Sequence, residues 1–152
     1  VEEPTIEAPL SWNIHISNPN SHGGEPAIIK FDTCTTQNAI GGVYIEDSEN
    51  IVLDNCWFEN LDTAIYVKNS KMINIEKNRF ANASDYGNVN GSQGAYDDGN
   101  DTGYILYTVD NSIVEFSGNL IAGSFASKTI QDSSSVLYKH MNYYRATSTL
   151  ED

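Results

Sequence analysis

The sequence predicts an all-β fold, a parallel β-solenoid, and three observations carry the prediction. A 22-residue repeat runs through the middle of the chain. Within each repeat, apolar residues alternate in three short period-2 runs. Asn, Asp and Ser separate those runs, and Asn is abundant, with 17 among 152 residues. Asn is poor in helices and common in turns, so this is the composition of many short strands and tight corners.

The repeat is clearest in residues 43–60. Shifted by 22, they fall on residues 65–82. Apolar meets apolar at Val43/Ile65, Ile45/Val67, Ile51/Ile73, Leu53/Ile75 and Phe58/Phe80, and Tyr44/Tyr66, Ser48/Ser70 and Asn60/Asn82 are identities. Backward by 22, Ile29, Phe31 and Cys34 align with Ile51, Leu53 and Cys56. Forward, the shift becomes 41, and Leu106, Tyr107, Val114, Phe116, Asn119 and Ile121 fall on Ile65, Tyr66, Ile73, Ile75, Asn78 and Phe80. The additional residues form one insertion at 83–103, rich in Gly, Asn, Asp and Ser. A further 22 brings Val114, Phe116 and Ile121 onto Val136, Tyr138 and Tyr143. This spacing predicts about five turns of three short strands each, stacked strand on equivalent strand. No segment shows the 3.6-residue period of a helix.

The solenoid is expected over 27–145, with an arm or cap at 1–26 and a tail at 146–152. Ile14 and Ile16 alternate and predict a strand in the arm, which also holds every proline, at 4, 9, 19 and 26. That strand would cap the first turn or pair with a neighbouring subunit's edge. No amphipathic capping helix is apparent, so both ends read as open, as in an oligomer, a filament or a fragment. The opening Val1-Glu2-Glu3-Pro4-Thr5 is neither a signal peptide nor a natural initiator, and reads as a processed or excised chain.

Charge excludes whole classes of partner. Acids outnumber bases 21 to 8, giving a net charge of −13 and a pI near 4.3. Residues 80–127 contain no base. Nucleic acid and anionic membranes are unsuitable partners, because few cations are available to neutralise phosphates. No apolar run approaches the ~20 residues of a membrane-spanning helix. Hydrophobic residues make up 39%, enough for a real core.

The pattern Ser-x-x-Ile-x-Ile-x-x-Asn-x-Phe-x-Asn, from Ser70 to Asn82, resembles the right-handed parallel β-helix superfamily. That group includes pectate lyase-like enzymes, phage tailspikes and many surface proteins. The resemblance covers roughly residues 27–145 and implies a right-handed, single-stranded helix. It does not fix a function, because one scaffold carries unrelated activities.

Stacked turns place equivalent residues about 4.8 Å apart, so aligned columns become physical ladders. Val43/Ile65/Leu106, Ile51/Ile73/Val114/Val136 and Leu53/Ile75/Phe116/Tyr138 are expected inside. Cys34 and Cys56 share a column, either as a disulfide of an oxidising compartment or as two stacked free thiols. Asn78 and Asn119 follow them and fit an internal amide ladder. Glu46 faces Lys68 and Glu49 faces Lys71 across rungs, pairs that fix register more than they stabilise.

Three features are candidates for function. Tyr44, Tyr66 and Tyr107 form an outward column that would stack sugar rings or pack against a neighbouring subunit; the alternative is a set of solvated strand formers. Trp57 joins this argument, beside Arg79 of the following turn. Asp32, Asp54 and Glu76 form an outward acid column, and close carboxylates repel unless a cation lies among them. The resemblance implies Ca²⁺ there, since pectate lyase-like enzymes hold Ca²⁺ with stacked acids. The same three residues would serve catalysis in an enzyme; the alternative is compensation by Lys30 and Lys77. Asp97, Asp98 and Asp101 surround Gly99 in the insertion and offer a second Ca²⁺ candidate without EF-hand spacing. Asn82, Asn90 and Asn100 begin glycosylation sequons in or beside the same insertion.

No nucleophile constellation emerges. His15, His22 and His140 are scattered, and no G-x-S-x-G, phosphate loop or C-x-x-C occurs. The expectation is a non-catalytic module with no resident cofactor, on a cell, filament or virion surface. It would self-associate or bind glycans through the tyrosine column. The alternative is a polysaccharide lyase or hydrolase, Ca²⁺-dependent if the acid column is its site, or a fragment of one.

Overall fold

The computed structural model describes residues 12–17, 28–81, 104–122, 129–145 and 149–151. The strands are β1 (Trp12–Ser17), β2 (Ile29–Asp32), β3 (Thr35–Glu46), β4 (Glu49–Asp54), β5 (Trp57–Lys68), β6 (Lys71–Glu76) and β7 (Arg79–Ala81). After the insertion come β8 (Tyr104–Val109), β9 (Ile113–Ser117), β10 (Leu120–Ala122), β11 (Thr129–Gln131), β12 (Val136–His140), β13 (Asn142–Tyr144) and β14 (Thr149–Glu151). No helix occurs among the described residues.

The strands stack in parallel on three faces. The first face runs β1, β3, β5, β8 and β11. The second runs β2, β4, β6, β9 and β12. The third uses the opening residues of β3 and β5, then β7, β10 and β13. Thus β5 serves two faces, meeting β7 through Trp57 and Phe58 and β8 through Thr63–Lys68. This all-β, parallel architecture is consistent with the predicted solenoid.

The 22- and 41-residue shifts appear directly as register. Ile51 pairs with Ile73 and Ile73 with Val114; Leu53 pairs with Ile75 and Ile75 with Phe116. Their side chains alternate inward and lie fully buried with Ile45, Ile65, Val67, Phe80 and Leu106. Burying each such side chain is worth roughly 1.5–3 kcal/mol relative to exposure. Phe58 and Phe80 stack with ring centroids 4.9 Å apart, and Phe116 follows at 5.6 Å.

The last repeat departs from the expected alignment. Its shift is 23, not 22: Leu137 pairs with Val114, Tyr138 with Glu115, Lys139 with Phe116, and Tyr144 with Ile121. A one-residue slip moves every side chain to the opposite face. Val136 and Tyr138 therefore lie outside, 39% and 60% exposed, and Leu137 takes the inward place. The cause is local: the chain spends one residue more between Ile121 and Thr129 than between Phe58 and Ile65.

Two buried polar ladders hold the corners. Ser48, Ser70 and Ser112 each donate a backbone N–H to the hydroxyl of the next serine, ending at Ser135 (3.1, 3.2 and 3.1 Å). Cys56, Asn78 and Asn119 each donate a backbone N–H to the next asparagine Oδ1, ending at Asn142 (2.8, 2.9 and 3.0 Å). The amide nitrogens of Asn78, Asn119 and Asn142 donate to the carbonyls of Leu53, Ile75 and Phe116. These side chains satisfy backbone groups that the corners remove from the strand ladders.

One outer corner is left-handed in every turn. Thr33, Asn55, Lys77, Gly118 and Met141 occupy one column and all have positive φ, between 54° and 62°. Asn and Gly tolerate this left-handed conformation best.

Both termini add strands. β1 lies parallel on β3, with Ile14 opposite Val43 and Ile16 opposite Ile45, so the predicted arm strand stacks on its own chain. β14 runs antiparallel to β13 within the segment expected to be a tail.

Candidate functional site

The tyrosine column forms as its spacing requires. The rings of Tyr44 and Tyr66 stack at 5.0 Å and 9°, and those of Tyr66 and Tyr107 at 5.3 Å and 17°. The expectation of an exposed face does not hold. Trp12 meets Tyr44 edge-on at 5.4 Å and lies 6.1 Å from Tyr66. His15 abuts Tyr44 at 5.0 Å, and Tyr104 abuts Tyr107 at 5.8 Å. Tyr107 is only 6% exposed, and Tyr44 and Tyr66 are half-buried. The column is an aromatic layer under a cover. Burial and the neighbouring Glu46 push the Tyr44 phenol far above its ordinary value, so it stays protonated. Glu46 accepts from Tyr44 at 3.3 Å and lies 2.9 Å from His15 Nε2.

Trp57 is outward and 37% exposed, as expected. The Arg79 guanidinium carbon lies 4.3 Å from its ring centroid, a cation–π contact between adjacent strands.

The acid column also forms, with Asp32 opposite Asp54 and Asp54 opposite Glu76. Its cations are lysines. Lys30 Nζ donates to Asp54 Oδ2 at 2.7 Å and lies 3.5 Å from Asp32 Oδ2. Lys77 Nζ is 3.6 Å from Asp54 Oδ1 and 3.6 Å from Glu76 Oε2. The hydrogen bond from Lys30 holds the Asp54 carboxyl below the usual carboxylate range, and the same bond raises Lys30. Among the described residues, no three His, Cys, Asp or Glu side chains are grouped to hold a metal ion. At Asp32, Asp54 and Glu76, where a Ca²⁺ site is one expectation and lysine compensation the alternative, the interleaved ammonium groups supply compensating charge. Asp97, Asp98 and Asp101 lie outside the described residues, as do Asn82, Asn90 and Asn100.

The cysteines are free thiols, which corrects the disulfide option. Cys56 Sγ donates to Asp54 O at 3.2 Å, and Cys34 Sγ to Asp32 O at 3.6 Å. In-register stacking points both Cβ atoms the same way, poor geometry for a bond between them. Burial pushes the Cys56 thiol up, away from reactivity.

A different surface stands out. The outer side of the second face carries Ile28, Met72 and Ile113 in one column, 73%, 61% and 40% exposed. The adjacent column reads Lys30, Val52, Asn74, Glu115 and Tyr138. Between the columns runs a groove of about 320 Å³, within the range of small-ligand sites. Its floor is apolar, Tyr138 stands at one end, and Asn50, Asn74 and Glu115 supply polar atoms. His140 Nε2 lies 3.5 Å from Glu115 Oε1. Such a groove can stack a ring and hydrogen-bond hydroxyls. It presents no activated nucleophile.

Sequence reasoning missed this groove because the 22-residue alignment placed Tyr138 inside. The signal available was Asn119 to Asn142, a spacing of 23 in the most constrained corner. Unalternated pairs such as Val52-Leu53 and Ile113-Val114 also put apolar side chains on the outer surface.

No protein-family model matches the chain, and no curated protein or solved structure matches it.

Proposed function

We propose that this chain is a right-handed, single-stranded parallel β-helix of about five turns that serves as a non-catalytic adhesive or structural module. Its place is a cell, filament or virion exterior, and its ligand is a glycan held on the outer side of the second face. The observation that carries this reading is the groove beside Tyr138. Sugars present an apolar face for an aromatic ring and a rim of hydroxyls for amides and carboxylates. Tyr138, Met72 and Ile113 along one groove, with Asn50, Asn74 and Glu115 at hand, have that chemistry. The net charge of −13 and Glu115 within the groove favour a neutral glycan over a uronate or a sulfated one.

Catalysis through Asp32, Asp54 and Glu76 has less support, because Lys30 and Lys77 occupy those carboxylates. The tyrosine column has less support as a contact face, because Trp12, His15 and Tyr104 lie against it.

The experiment is a glycan array followed by titration calorimetry with the neutral oligosaccharides that bind. Tyr138→Ala should weaken binding at least tenfold, and Tyr66→Ala should not weaken it by displacing ligand contacts. Uniform failure to bind neutral glycans, or binding unchanged in Tyr138→Ala, would refute the reading.

A further inference from the structure

The two ends of the strand stack are built differently. At the C-terminal end, three of the inward columns finish in polar residues, while Leu137 and Tyr144 end two others. Ile14, Val43, Ile65 and Leu106 end in Thr129, and Ile16, Ile45, Val67 and Thr108 end in Gln131. Phe31, Leu53, Ile75 and Phe116 end in Lys139. Gln131 Nε2 turns to donate to the Ser135 carbonyl. β14 then lies antiparallel along β13, where a further parallel strand would have to add. Inward-pointing charge and a reversed edge strand are devices against strand addition, and a polar terminal repeat closes a solenoid.

The N-terminal end has the opposite character. β2 is the terminal strand of the second face, and no described strand pairs with its outer edge. Its inward side chains Ile29 and Phe31 are apolar and only half-buried. Its outward side chains are Lys30 and Asp32. In an antiparallel pair centred on Phe31, Lys30 of one copy faces Asp32 of the other, and the reverse, so the edge is complementary to itself.

We propose that the protein pairs with a second copy of itself, head to head through β2, and that the C-terminal strands stop the assembly at two. Head-to-tail stacking would set Lys139 of one copy against Phe31 of the next, burying an ammonium in an apolar column. Head-to-head pairing avoids that contact, and two-fold symmetry closes it. The inference rests on strand order and register and is independent of the glycan reading.

The test is light scattering on the full chain across a hundredfold concentration range, with far-UV circular dichroism as the folding check. The parent should approach twice the monomer mass. Asp32→Lys places like charges opposite each other and should be monomeric. Lys30→Asp combined with Asp32→Lys exchanges the charges and should restore the dimer, which separates lost complementarity from lost folding. Lys139→Leu combined with Leu150→Pro removes the inward charge and breaks the reversed strand β14 together, and should give assemblies larger than two. A parent that is monomeric at every concentration, or larger than a dimer, would overturn the proposal. So would a folded Asp32→Lys variant that stays dimeric, or a charge exchange that fails to restore pairing. A folded Lys139→Leu/Leu150→Pro variant that stops at two would overturn the assignment of the C-terminal block.

Discussion

The indole of Trp12 lies over the backbone of Gly41, in the space that any side chain at that position would fill. Trp12 and Gly41 are register partners on β1 and β3, so the contact is a consequence of strand pairing. It also places the indole against Tyr44 and Tyr66. One glycine thereby allows the N-terminal strand to cover the tyrosine column.

Gly41→Val should expel Trp12 from this seat. The expected loss is about 1–3 kcal/mol, the usual range for overpacking. The chain has two tryptophans, so Trp57→Phe leaves Trp12 as the sole reporter. In that background Gly41→Val should red-shift the emission and increase quenching by acrylamide. An unchanged spectrum would mean that Trp12 does not depend on the missing side chain.

The asparagine ladder predicts a larger effect at its centre. Asn119 Oδ1 accepts from Asn78 N–H and Asn78 Nδ2, and its own Nδ2 donates to Ile75 O and faces Asn142 Oδ1 at 3.0 Å. Asn119→Ala strands at least two buried backbone groups, each costing about 1–3 kcal/mol. The urea midpoint should fall accordingly. Asn55→Gly removes an exposed side chain without straining the left-handed corner and should cost far less.

The inner architecture was legible in the sequence because packing enforces it. Val43, Ile65 and Leu106 had to recur on one face, and Asn78 and Asn119 had to recur at one corner, whatever the outer residues did. The surface was less legible. Tyr44, Tyr66 and Tyr107 point outward as their parity requires, yet their cover comes from Trp12, a residue outside the repeat. Likewise the 22-residue period carries no notice of the single added residue before Thr129, and that residue decides which side of the sheet Tyr138 occupies. Lys30 and Lys77 were visible near the acid column, but periodicity alone does not say whether an ammonium or a metal ion sits between stacked carboxylates.

Backbone strain gives a stabilising prediction. Met141 has φ 56° and is 64% exposed, in the same corner column where Gly118 has φ 62°. A left-handed residue with a side chain carries roughly 1–2 kcal/mol of strain. Met141→Gly relieves it but frees the unfolded chain, so the net gain should be about 0.5 kcal/mol. Met141→Asn should do as well without that loss. Gly118→Ala should destabilise in the opposite sense, and thermal melts of the three variants check the order.

Acid should weaken the fold partly through Asp54. Lys30 donates to its carboxylate at 2.7 Å, and the carboxyl lies below its ordinary value in the folded state. The unfolded chain therefore binds a proton at higher pH than the folded one. The stabilisation is complete above the unfolded value of about 4 and disappears as pH falls through the lower, folded value. Asp132 acts in the same direction: burial opposes ionisation there, but hydrogen bonds from Ser135, the Asp110 N–H and Ser134 outweigh it. Relief of the net charge of −13 works the other way on acidification, so the parent's own profile mixes the two effects. The difference between parent and Asp54→Asn isolates the first. Urea midpoints should differ most near pH 6 and converge towards pH 3. A gap that stays constant with pH would show that Asp54 contributes through packing and not through its charge.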